Sequence, residues 1–195
     1  MSQSTKTRAP FMAPQMSTSK NDTECFCHVD IAIHRTDEET WRNVFTTYSA
    51  YMGRDLSKTN LHENNYDPCK DVFLCLSVTE AEAITAREYL ESLTAKPLPY
   101  NYKDLPMCLL HSRVVSLFTD VDCWNVTKAF CSQLAILVLR KSLSFCDGND
   151  RIRGAIENVN SRSVSPNALF SILKPFCERI HVTPFVMGKV SVIRY

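Results

Sequence analysis

From Trp124 to Lys141 the chain is apolar on nearly every side, and an earlier apolar periodic run ends just before it at Leu117 and Phe118. A helix apolar all round is the buried centre of a bundle rather than a surface element. The segments around it are amphipathic. Trp41, Val44, Phe45, Tyr48 and Met52 recur at helical spacing, Thr36 with Glu39 reads as a capping box and Gly53 as a stop, which predicts a helix over residues 37–52. Residues 56–69 are polar and Asn-rich and read as a loop. A second helical region falls within residues 70–95, where Ser77 with Glu80 and Thr79 with Glu82 both look like capping boxes able to separate DVFLCL from EAEAITAREYLESL. The prolines of KPLPYNYKDLP exclude a long helix there, and Pro106 suits the first turn of a helix using Leu110, Val114, Leu117 and Phe118. Further on, Ile152, Ile156 and Val159 suggest a short amphipathic helix. Ser165-Pro166 opens another, with Leu169, Ile172, Leu173, Phe176 and Ile180 as its stripe and Pro175 kinking or dividing it. The final HVTPFVMGKVSVIRY reads as a last helical turn or a β-branched strand.

On this pattern the expected fold is all-α, a helical bundle around a central hydrophobic helix. Residues 1–30 form a disordered arm, rich in Ser, Thr and Pro up to about Glu24, and residues 31–195 form the single helical domain. A chain of 195 residues and 22.2 kDa has room for one such core. Lys and Arg total 22 against 21 Asp and Glu with no block of either sign, so no nucleic-acid surface is expected. The nine cysteines are odd in number and no signal-peptide core precedes them. A reducing cytosol, with thiols as small buried apolar groups, is therefore expected. The longest strictly apolar run, Leu134 to Leu139, is far short of the roughly 18 residues a membrane span needs, so no transmembrane anchor is expected.

The segment LFTDVDCWNVTKAFCSQLAILV, residues 117–138, resembles the first homology segment of the Bcl-2 family of apoptosis regulators. Leu117, Phe118, Asp120, Trp124, Ala129, Phe130 and Ser132 match its residue types, and Val44-Phe45 with Tyr48 and Tyr51 is similar to a Bak-like first helix. The resemblance implies a Bcl-2-like bundle that binds amphipathic Bcl-2 homology 3 death helices, and other family members, in a hydrophobic groove. The groove would be lined by Leu110, Val114, Leu117, Val126, Ala129 and Gln133, with Trp124 and Phe130 as structural anchors. It further implies a cytoplasmic regulator of mitochondrial apoptosis, recruited peripherally to the outer membrane and pro-apoptotic if Bak-like. The alternative is a soluble anti-apoptotic homologue, for example a virus-encoded one. Val126 stands where the family carries an Arg that pairs with the ligand's Asp, which puts ordinary ligand affinity in doubt.

Two chemical readings compete. Cys25-Phe26-Cys27-His28, with His34 nearby, could offer zinc ligands, but no second cysteine pair completes the usual signature. A cysteine hydrolase needs a thiol, an imidazole and an orienting group brought together by the fold. Nine cysteines and five histidines permit many such combinations, and no local nucleophile motif singles one out. The expectation is therefore a protein that is not an enzyme and holds no metal or cofactor.

Overall fold

The computed structural model describes residues 8–11, 28–36, 43–60, 72–109, 120–143, 150–182 and 192–193. These residues form a mixed α/β architecture, not the expected all-α bundle. One sheet is three-stranded and antiparallel, in the order β2 (Asp30–Thr36), β3 (Asn43–Ser49), β4 (Ser57–Asn60). A second sheet has the order β1 (Arg8–Phe11), β5 (Phe73–Ser77), β6 (Glu178–Val182), β7 (Val192–Ile193).

The correction centres on residues 37–52. Val44, Phe45 and Tyr48 satisfy helical spacing, yet NVFTTYS is built from β-branched and aromatic residues that favour a pleated, half-buried surface. Its partner DIAIHRT supplies a ladder in which Ile31 faces Tyr48 and Ile33 faces Thr46. The turn that follows needs Gly53 for its positive φ of 77°, so this glycine marks a turn rather than a helix end. Arg8–Phe11, within the expected arm, forms strand β1 on β5.

Helix α1 (Glu80–Thr94) starts at the second of the two candidate capping boxes. The Thr79 side chain accepts from the Glu82 backbone N–H, and the Glu82 carboxylate accepts from that of Thr79. Helix α2 (Cys131–Leu143) is the expected central helix, but it opens seven residues later than Trp124. Every residue in it except Arg140 and Lys141 is buried, and it packs against α1 and β2. Helix α3 (Asp150–Glu157) buries Ile152 and Ile156. Helix α4 (Pro166–Leu173) is capped by Ser165, and Pro175 closes it in a short 3-10 turn. No helix among the described residues is long and apolar enough to cross a membrane.

Asp120 ties the far end of α2 in place. Its carboxylate accepts from Arg140 at 2.7 Å and from the backbone N–H of Ser161 at 2.9 Å, while Arg140 also donates to the carbonyls of Ile156 and Val159. That leaves the opposite, N-terminal end of α2 facing the three-stranded sheet.

Candidate active site

His28 lies just ahead of β2 and Asp30 is that strand's first residue; both are buried. The imidazole Nε2 meets Asp30 Oδ1 at 2.8 Å. Asp30 faces Ser49 across the β2–β3 ladder, and the Ser49 hydroxyl donates to the same carboxylate oxygen. The sheet register therefore fixes the carboxylate, and the carboxylate fixes the ring. Tyr51 adds a third constraint by stacking on His28, with centroids 4.1 Å apart and planes 16° from parallel.

The Cys131 side chain lies close enough to the same imidazole to help hold its proton. Cys131 is the first residue of α2, where backbone N–H groups have no intrahelical acceptor. Burial by itself would lower the His28 pKa, but hydrogen bonds to Asp30 and Cys131 and their negative charge overcome it and raise the pKa to about 9. The ring is thus held as an imidazolium at neutral pH between a carboxylate and a thiol.

A second segment closes on the thiol from the α2 side. Tyr100 pairs with Ala129 in a parallel bridge, the Ala129 N–H donates to Pro99 at 3.2 Å and the Asn101 N–H donates to Ala129 at 3.1 Å. This sets Tyr100 beside the start of α2, near Cys131. Burial, and then the charges of Cys131 and Cys108, push the phenol's pKa upward, so it remains a protonated donor. Gln133 locks the arrangement from beneath. Its Oε1 accepts from the Phe130 N–H at 3.4 Å, the returning half of a capping box, and from Asn101 Nδ2 at 3.1 Å. Asn101 Nδ2 also donates to Asp104 at 2.7 Å.

The residues singled out from sequence are distributed differently. Leu110, Val114 and Leu117 lie outside the described residues. Ala129 and Gln133 are 1% and 0% exposed, closed inside the core, and Val126 is half-buried against it. Phe130 is fully buried, whereas Trp124 is 64% exposed with the Lys141 ammonium over its ring. Of the zinc candidates, Cys25 and Cys27 lie outside the described residues and His28 is engaged by Asp30 and Cys131. Among the described residues no group of three or more potential ligands could hold a metal ion. Cys131, Asp30 and Tyr100 were not singled out. A usable signal existed in a cysteine that begins a largely apolar helix and a histidine two residues ahead of a strand.

The chain matches no protein-family model, no curated protein and no solved structure.

Proposed function

We propose that the protein is a cysteine-dependent hydrolase or acyltransferase acting on a carbonyl compound. The observation that carries this reading is the Cys131–His28–Asp30 alignment, in which one imidazole bridges a thiol at a helix start and a buried carboxylate. A nucleophile, a base and an orienting group in that order are the components of thiol acyl transfer.

Each residue has a derivable task. The Cys131 sulfur attacks the carbonyl carbon, its proton passing to the base, and forms a tetrahedral oxyanion. The Cys131 backbone N–H, free at the first helical position, and the Tyr100 phenol are the donors available to that oxygen. The His28 imidazolium donates its proton to the leaving group as the tetrahedral species collapses to a thioester. The neutral imidazole then takes a proton from water or another acceptor nucleophile, whose attack releases the acyl group and frees the Cys131 sulfur. Asp30 keeps the ring oriented and stabilises its positive form, and Ser49 and Tyr51 keep Asp30 and the ring from turning. The death-helix reading rested on a bundle groove, and two of its floor residues, Ala129 and Gln133, are closed inside the core.

Alkylation by iodoacetamide, located by peptide mass spectrometry, tests the reading without knowledge of the substrate. Near neutral pH, Cys131 should react at least about tenfold faster than Cys123, whose thiol is pushed up by burial and by Asp122. His28→Ala should erase that advantage. Equal rates at the two thiols, or a Cys131 rate indifferent to His28→Ala, would refute it.

A further inference from the structure

An open groove of about 260 Å³ lies between α1, the turn that precedes α2 and the C-terminal end of α2. It is apart from the Cys131 centre: Lys141, which lines it, sits about 15 Å further along α2 at roughly 1.5 Å per residue. One wall is a strip of α1 on which Thr85, Glu88 and Ser92 recur at helical spacing. The Thr85 hydroxyl donates to the Ala81 carbonyl at 2.8 Å and the Ser92 hydroxyl to the Tyr89 carbonyl at 2.7 Å, so both oxygens have only lone pairs left for a guest. The Tyr89 hydroxyl spends its proton on the Cys123 carbonyl at 2.7 Å, which ties the turn to α1 across the floor. Among the described residues the Glu88 carboxylate has no hydrogen-bond or ion-pair partner. The facing wall is Trp124, 64% exposed, with the Lys141 ammonium over its ring.

The groove therefore carries one anion and one cation that do not pair with each other, two hydroxyl acceptors beside the anion and an exposed indole beside the cation. A guest of a single charge gains one of the two and is opposed by the other, whereas a guest bearing both signs gains both. The volume, a little under the roughly 300 Å³ at which drug-sized sites begin, suits a guest of amino-acid size. We propose that this groove binds a small zwitterion, a free amino acid with an apolar side chain. Its ammonium lies against Glu88 and the α1 hydroxyl oxygens, its carboxylate against Lys141, and its side chain covers the exposed indole of Trp124. The site is independent of the thiol chemistry at the other end of α2.

Calorimetric titration of the full chain with three compounds that share one phenyl group tests this: phenylalanine carries both charges, phenethylamine the ammonium alone and 3-phenylpropionate the carboxylate alone. Phenylalanine should bind about fivefold more tightly than either, the scale of one solvent-exposed ion pair. Glu88→Gln should weaken phenylalanine and phenethylamine severalfold and spare 3-phenylpropionate. Lys141→Gln should weaken phenylalanine and 3-phenylpropionate and spare phenethylamine. Trp124→Ser should weaken all three, and Ile84→Ser, at an exposed position of α1 outside the groove, should change none. Absence of saturable phenylalanine binding at millimolar concentration would overturn the site. Phenethylamine or 3-phenylpropionate binding as tightly as phenylalanine, or phenylalanine affinity untouched by both charge variants, would overturn the zwitterion assignment.

Discussion

His28 joins stability to chemistry at one residue. Its folded pKa of about 9 lies above the ordinary 6.5, so its contribution to stability is complete below pH 6.5 and is lost as the pH rises through about 9. Denaturant midpoints should therefore fall from about pH 6 to about pH 10, by a free energy on the order of 3 kcal/mol. In His28→Gln that decline should flatten, and an equal decline in the variant would place its source elsewhere. At this scale the sequence was least informative. Cys131 and His28 carry no local motif, and their meeting depends on a strand and a helix far apart in the chain. Once Asp30 faces Ser49 in the ladder and Ala129 is bridged to Tyr100, the thiol and the imidazole are brought together without any signature in the intervening residues.

At the scale of elements, local chemistry explains both what was legible and what was not. The Thr79 and Ser165 caps, the break at Pro175 and the buried helix running into Arg140 and Lys141 follow from side-chain hydrogen bonding and apolar periodicity, which act within a few residues. Thr79→Ala should cost about 1 kcal/mol in equilibrium unfolding, the usual loss for a helix cap. A neutral result would show that the buried Glu82 carboxylate is satisfied without Thr79. The predicted helix over 37–52 failed because its apolar positions fit two periods at once. The partner that decides between them, DIAIHRT, is a separate strand whose contribution no window on 37–52 contains. Trp124 misled for a related reason. Its apolar ring suggested a helix interior, but the Asp122 carboxylate accepts from the Trp124 N–H at 3.0 Å and the Asp122 carbonyl from the Asn125 N–H at 3.2 Å, ending the run in a polar loop before α2 begins.

For the molecule as a whole, the buried helix keeps the place the pattern gave it while its surroundings change. An all-round apolar α2 is satisfied equally by helices or by a sheet on its flanks, and here α1 lies on one side and β2 on another. With a sheet in place of a helical groove, the useful end of α2 becomes its N-terminus, where Cys131 meets His28. The account stands on whether that thiol carries an acyl group. The full chain should be mixed with a chromogenic aryl ester of phenylpropionic acid, quenched at intervals and analysed as intact protein and as peptides. The account predicts one phenylpropionyl adduct on Cys131 in the wild type that forms and then decays by hydrolysis, and none in Cys131→Ala. His28→Ala should slow both phases by about 100-fold or more, the scale of a lost general acid and base. Absence of the adduct from the wild type, or an adduct spread at equal rates over several thiols, would contradict it.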